Sequence, residues 1–234
     1  MRIPNKIVEI NIHNKHDHGW RRDLPLIKSK KQFFDENNNP INPYYYEKYE
    51  QYLVHKWIKD DDIVLELGGR YGIVACTVDS ILDNKKNHVV VEPDKSVLSA
   101  LKKNKKRSEA EFYICEKAIS NKPLQFIKYG IGSFTENPKT RLSKNDNISI
   151  KFKDFMDKYN LNFNVLIADC EGCLYSFMNE IPLKLFKNIN IIIFEKDRLN
   201  IDHYNEIYKK LIKKNFINVD NILNGFQQVW IKNK

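Results

Sequence analysis

The stretch from Asp62 to Gly72, Asp-Ile-Val-Leu-Glu-Leu-Gly-Gly-Arg-Tyr-Gly, constrains this chain more than any other. Its apolar run from Ile63 to Leu67, carrying the acid Glu66, reads as a buried strand. Gly68, Gly69 and Gly72 then let the backbone turn tightly and approach a ligand closely. A second strand, His88-Val-Val-Val-Glu92, also ends in an acid. A strand, a glycine turn opening a helix, and an acid closing the next strand about 20 residues on is the layout of a nucleotide cradle.

The spacing of the glycines narrows the ligand. A dinucleotide turn, Gly-x-Gly-x-x-Gly, offers helix N–H groups to a pyrophosphate. Here the order is Glu66-x-Gly68-Gly69-x-x-Gly72, with an acid at the strand end. A carboxylate there would repel a pyrophosphate. It suits a ligand with a ribose and a cationic or zwitterionic arm, and S-adenosylmethionine (SAM) is such a ligand. The plainer alternative is a tight strand-to-helix turn with no ligand at all.

At 234 residues, 42% of them hydrophobic, the chain can build one domain with a substantial core. No apolar run approaches the roughly 20 residues that span a bilayer. Met1-Arg-Ile-Pro-Asn-Lys lacks the apolar stretch of a signal peptide, so a cytoplasmic protein is expected. Cys76, Cys115, Cys170 and Cys173 lie in or near expected core elements and read as reduced, buried thiols. Cys170-x-x-Cys173 is half of a zinc or redox motif without its second pair. The net charge of +9 raises the question of a nucleic-acid partner. The lysines are scattered, however, and no aromatic and basic residues interleave as in an RNA-binding module, so nucleic acid is an unlikely partner.

Residues 1–43 read as an irregular lead segment, broken by Pro4, Pro25, Pro40 and Pro43 and expected to form part of an acceptor site. His13, His16 and His18 beside Asp17 fit no standard metal spacing and suit a solvated or substrate-facing loop. Asn42-Pro43-Tyr44 has one proline and no preceding strand, and does not match the motif of enzymes that methylate base amines. From residue 44 the pattern is regular. A helix over 44–58 carries Tyr45, Tyr49, Tyr52, Leu53, Lys56 and Trp57 at helical spacing. Helices follow at 73–82, 94–104, 154–159, 172–180 and 202–214. Strands are expected at 87–92, 111–115, 165–169 and 189–195, with added strands at 124–129 and 149–152 around a polar loop at 130–147. Residues 216–219 and 227–231 read as a closing hairpin. Strands alternating with helices give an α/β, doubly wound, mostly parallel sheet with a C-terminal antiparallel hairpin.

The motifs in order carry a family resemblance. Leu65-Glu-Leu-Gly-Gly-Arg-Tyr-Gly72, Val91-Glu-Pro-Asp94, Lys117-Ala-Ile-Ser120, Ile131-Gly-Ser133, Ile167-Ala-Asp-Cys-Glu-Gly172 and Ile191-Ile-Ile-Phe-Glu195 together resemble the FkbM family of class I SAM-dependent methyltransferases. Many members O-methylate sugars. The resemblance covers about residues 50–232 and makes 44–234 the methyltransferase domain. The chain departs from the family at Glu66, where Asp is usual, and at Gly69-Arg70, where Ala-Asn is usual. It also has Ile167 in place of a lysine, so no lysine role is carried over.

The resemblance implies a Rossmann-like class I fold with SAM bound beyond the carboxyl ends of the strands. Glu66 would fix the turn and meet the methionine amino end. The backbone of Gly68, Gly69, Arg70, Tyr71 and Gly72 would lie along the ligand. Glu92, followed by Pro93, would take the ribose hydroxyls, and Ala118 and Ile119 would flank the adenine. Asp169, Glu171, Glu195 and His203 are the candidates to remove the acceptor's proton. Glu171 has an alternative role as the acidic start of the next helix. A divalent cation held by Asp169, Glu195 and Asp197 is a second route, to which the sequence does not commit. The expected activity is methyl transfer to a hydroxyl of a sugar or glycan. A ribose 2′-O-methyltransferase acting on nucleic acid and a non-catalytic protein of the same fold are the alternatives.

Overall fold

Apolar runs flanked by amphipathic helices wind into one central sheet. The computed structural model describes residues 32–129, 132–136, 147–180, 183–196 and 201–233, with backbone alone at 126–129, 132–136, 183–185 and 201. The elements run β1 (Phe33–Phe34), β2 (Pro40–Ile41), α1 (Lys48–Trp57), β3 (Val64–Leu67), α2 (Ile73–Asp79), β4 (His88–Val91) and α3 (Lys95–Arg107). There follow β5 (Tyr113–Cys115), β6 (Ala118–Ile119), β7 (Gln125–Tyr129), β8 (Gly132–Glu136), β9 (Ser149–Ile150), α4 (Phe152–Tyr159), β10 (Val165–Ala168) and α5 (Cys173–Glu180). The chain closes with α6 (Leu183–Asn188), β11 (Ile191–Glu195), α7 (Ile201–Lys213), β12 (Phe216–Ile222) and β13 (Gln227–Lys232).

The main sheet has seven strands in the order β12-β13-β11-β10-β3-β4-β5. The five strands from β11 to β5 are parallel, and β13 joins antiparallel to β11 and to β12. This is the doubly wound, mostly parallel, Rossmann-like sheet with a C-terminal antiparallel hairpin that the sequence leads one to expect. All residues of β3, β4 and β10 are buried, because helices cover both faces. Leu65, Leu67, Val89, Leu166, Ile192 and Phe194 point to one face, under α4, α5 and α7. Val64, Val165, Ile167, Ile191 and Ile193 point to the other, under α1 and α2. From β3 the chain winds outward to β4 and β5, then returns on β3's other side as β10 and β11. The strand order therefore reverses between β3 and β10, and their carboxyl ends open the crevice where ligands of such sheets bind.

The structure shifts several expected boundaries. The helix expected from residue 44 starts at Lys48, because Glu47 holds a left-handed φ of 49°. That turn splits the tyrosine stripe: Tyr52 and Trp57 are buried, Tyr44 and Tyr45 exposed. Gly132–Glu136 is a strand paired with β7, where a polar loop was expected. The rest of that loop, 130–131 and 137–146, lies outside the described residues. The six-residue α6 was too short for periodicity to reveal. Of the lead segment, residues 32–43 carry the β1–β2 hairpin, whose Phe33 is buried in the core with Leu101 and Phe112. The His13, His16 and His18 cluster and Asp197 fall outside the described residues. Among the described residues, no helix is long and apolar enough to cross a membrane.

Candidate functional site

The glycine turn and the end of β10 meet at the crevice with no slack. Leu67 pairs with Ala168, and the next residue, Asp169, donates its N–H to the Leu67 carbonyl at 3.0 Å. Gly68 has φ of 93°, and a Cβ on it would sit 1.7 Å from the Asp169 carbonyl oxygen. A Cβ on Gly69 would lie 2.4 Å from Val90 Cγ1. Both positions need glycine, the first for conformation and contact, the second for contact alone. The turn closes through a 2.7 Å hydrogen bond from the Gly72 N–H to the Gly69 carbonyl.

Glu92 faces this turn from the next strand. Its Oε2 accepts the Arg70 N–H and its Oε1 the Asp94 N–H, both at 2.8 Å. Burial pushes its pKa up, and these backbone donors pull against that. Pro93 separates it from Asp94, which caps α3 by accepting the Ser96 N–H at 2.8 Å. The Val-Glu-Pro-Asp motif is thus one acid aimed at the turn and one that starts the helix. The Glu92 N–H donates to the Cys115 carbonyl at the end of β5. Ala118 and Ile119 follow three and four residues later, held by pairing with β9. The Glu180 carboxylate steadies that segment by accepting from Ser120 Oγ and the Asn121 N–H, each at 2.8 Å.

Glu66 lies deeper. It is 1% exposed, and its Oε2 is 2.9 Å from Nε2 of the buried His88 on β4. Burial pushes Glu66 well above the usual carboxylate range and His88 down to about 3. Glu66 thus acts on the turn from below, by tying β3 to β4. Arg70 and Tyr71 form the outer wall. The Arg70 guanidinium lies 5.0 Å from the Tyr71 ring, Tyr46 leans on the same ring at 5.6 Å, and the Tyr71 hydroxyl donates to Glu36. Asn104 of α3 bonds the Phe34 backbone in both directions and the Tyr71 carbonyl. The described end of the lead segment is therefore moored at the glycine turn.

The acids gather on the β10 side. Asp169 and Glu195, at the ends of adjacent strands, meet Glu50 from α1, and one carboxylate oxygen of each lies within 4.8 Å of the others. Gln227, which faces Glu195 across the β11–β13 register, donates its side-chain N–H groups to both Glu50 and Glu195. Burial pushes Glu50 up to about 7; the hydrogen bond to Glu195 holds it down, while the Asp169 and Glu47 charges add to the rise. Burial and the Asp169 charge also push Glu47 well up.

Sequence reasoning missed Glu50 and Gln227. The available signal for Glu50 was a charged residue on the buried face of its helix, three before Leu53 and seven before Trp57. Glu171 and His203 are not in this group. Glu171 is exposed, with φ of 52°, in the turn after β10. His203 stacks on Tyr175 at 4.0 Å between α7 and α5. Cys170 and Cys173 correct the expectation of reduced thiols: they form a disulfide across Glu171 and Gly172. The left-handed backbone at those two residues folds the loop back and brings the Cα atoms to 5.4 Å, inside the range a disulfide requires. Cys76 and Cys115 are free and buried, as expected.

No protein-family model matches the sequence, and no curated protein matches it. Solved structures similar to the chain include a precorrin-6y C5,15-methyltransferase from Geobacter metallireducens. It is 10% identical, covers 80% of this chain and 88% of its own, and has a TM-score of 0.49. An rRNA methylase from Streptococcus thermophilus is 10% identical over 83% and 98%, with a TM-score of 0.49. An O-methyltransferase from Bacillus cereus in complex with SAH is 11% identical over 82% of each chain, also at 0.49. Likeness at this level says nothing of a substrate.

Proposed function

We propose that the chain is a SAM-dependent O-methyltransferase that moves a methyl group to a hydroxyl of a sugar or glycan. The position of Glu92 at the mouth of the glycine turn is the observation that carries this reading. Its Oε2 accepts the Arg70 N–H and its Oε1 the Asp94 N–H, the Gly69 N–H is also turned toward the carboxylate, and lone-pair capacity remains for a further donor. A ribose diol offers two such donors, which a carboxylate takes in bidentate fashion. Gly68 and Gly69 let the turn pack directly onto Asp169 and Val90, and in this reading the turn's backbone lies along the ligand, with Ala118 and Ile119 beside the adenine. When bound, SAM supplies a methyl group made electrophilic by its sulfonium.

Asp169 is the residue proposed to take the acceptor's proton, supported by its neighbour Glu195. Asp169 touches the turn through its own carbonyl, which fixes the distance between methyl donor and proton acceptor. A sugar hydroxyl is a weak acid, so its proton leaves late, as the new O–C bond forms. Tyr44 and Tyr45, exposed on the loop before α1, offer apolar ring faces of the kind a sugar packs against. Isothermal titration with S-adenosylhomocysteine tests the assignment. Glu92→Ala should bind at least tenfold more weakly, a loss of about 1.4 kcal/mol; unchanged affinity removes the ribose role. Asp169→Asn should bind like wild type and turn over about a hundredfold slower or worse.

A further inference from the structure

We propose that Cys170 and Cys173 form a redox modification site: a reversible disulfide whose opening loosens the hold of the adjacent Asp169 on the glycine turn. Its consequence for methyl transfer rests on the function proposed above; the switch itself does not. The bridge joins the residue after Asp169 to the first residue of α5, across Glu171 and Gly172. A loop this short removes little freedom from the unfolded chain, so the bridge adds little to the stability of the whole fold. Its effect is local, and the local structure is the floor of the crevice. The Asp169 N–H donates to the Leu67 carbonyl at 3.0 Å. A Cβ on Gly68 would lie 1.7 Å from the Asp169 carbonyl oxygen and 3.3 Å from Cys170 Cα, so the start of the bridged loop packs directly on the turn.

The backbone between the two sulfurs is the second observation. Glu171 holds a left-handed φ of 52°, which residues other than glycine disfavour. Leu174, Phe177 and Met178 fix α5 in the core. The bridge and a 3.2 Å hydrogen bond from the Cys173 N–H to the Cys170 carbonyl tie Cys170 to that helix. With the bridge open, Glu171 can return to an ordinary φ, and Cys170 and Asp169 move with it while α5 stays. Cys170 and Cys173 are half-buried, whereas Cys76 and Cys115 are buried, so a small thiol meets the bridge first. The thiolate of a monothiol attacks Cys170 Sγ and forms a mixed disulfide. The S–S bond breaks, and its electron pair leaves with Cys173 Sγ, which takes a proton. The N-terminus of α5 stabilises the charge on that departing sulfur. A second monothiol attacks the mixed disulfide in turn. The bridge gains two electrons and becomes two thiols, and the two monothiols become one oxidised pair.

The test uses the full chain, equilibrated in oxidised or in reduced glutathione, with neither SAM nor acceptor present. Alkylation followed by peptide mass spectrometry should find Cys170 and Cys173 bridged in the first buffer and both free in the second, and bridged again on return. Hydrogen exchange should then separate the two forms. Amides of residues 169–173 should exchange at least tenfold faster in the reduced protein, and those of β4 and β13 at the same rate in both. The double variant Cys170→Ser, Cys173→Ser should exchange like the reduced form in either buffer; should it not fold, reduced wild type supplies the same comparison. A bridge that reduced glutathione leaves closed, free thiols in oxidised glutathione, or equal exchange in both forms overturns the switch. S-adenosylhomocysteine binding, measured separately on each form, keeps the two ideas distinct. Its absence from both forms with redox-dependent exchange retained sinks the methyltransferase reading alone; its presence with equal exchange sinks the switch alone.

Discussion

His88 shows how one residue can set a pH limit on the whole structure. It is fully buried, its Nε2 meets Glu66, and its Nδ1 has no partner among the described residues. A protonated imidazole would need an acceptor at both nitrogens, so burial holds the pKa down at about 3. An unfolded histidine titrates near 6.5. The folded pKa is thus depressed. The stability from His88 is fully present above about pH 6.5 and is lost as pH falls toward 3, at about 1.4 kcal/mol per pH unit once the unfolded ring is charged. Glu66, raised by burial, titrates with the opposite sign, but it remains in place when His88 alone is changed. Thermal melts at pH 7 and pH 5 should therefore show a smaller fall in Tm for His88→Asn than for wild type. Equal falls would mean that the folded protein accepts the proton. The Glu66 carboxylate was legible as part of a turn motif; its partner was not, because His88 reads as the polar start of an apolar strand.

At the level of elements, the consequential one is α1, which lies before the glycine turn and delivers Glu50 across the sheet. It is anchored at its far end by Asp220, which accepts from Trp57 Nε1 and pairs with Lys56, both side chains of that pair being largely buried. Asp220→Ala would leave the indole N–H and the ammonium without that acceptor and should cost about 2–3 kcal/mol in urea unfolding. Asp220→Asn keeps an acceptor and should cost about half as much. Equal stability of all three proteins would show that α1 is held by its apolar face alone. The strands themselves were legible, since Val64–Leu67, Val165–Ala168 and Ile191–Glu195 are apolar runs buried on both faces. Glu92 and Asp169 were legible for a local reason: each directly follows such a run, and the fold opens its crevice there. Glu50 and Gln227 meet across 177 positions of sequence, and no local pattern encodes that meeting. The Cys170–Cys173 bridge depended on left-handed backbone at Glu171, a residue type that does not announce it.

Over the whole molecule, acids line the crevice while the outside is basic, with a net charge of +9. A basic exterior is the one feature that favours a nucleic-acid acceptor over a sugar. The densest basic run, on α3, is partly engaged within the protein: Lys102 pairs with Glu116, Lys105 lies over Phe112 at 5.4 Å, and Arg107 lies over Phe34 at 4.3 Å. Such groups give up these contacts to meet phosphates. An enzyme that gripped RNA through six or more phosphates would lose about a thousandfold in affinity between 50 and 200 mM salt. For this chain the expected outcome is different. Fluorescence anisotropy with a labelled single-stranded RNA should give, near physiological salt, only the weak binding of about 10⁻⁴ to 10⁻⁶ M that any basic protein shows. S-adenosylhomocysteine affinity should change little over the same salt range, because the contacts proposed for it are the buried Glu92 and the backbone of the turn, where ionic screening is slight. Saturable RNA binding tighter than that at physiological salt, with a steep salt dependence, would move the acceptor from a sugar to the ribose of a nucleic acid. Glu92 would keep its role, and the specificity would pass to the lysines outside.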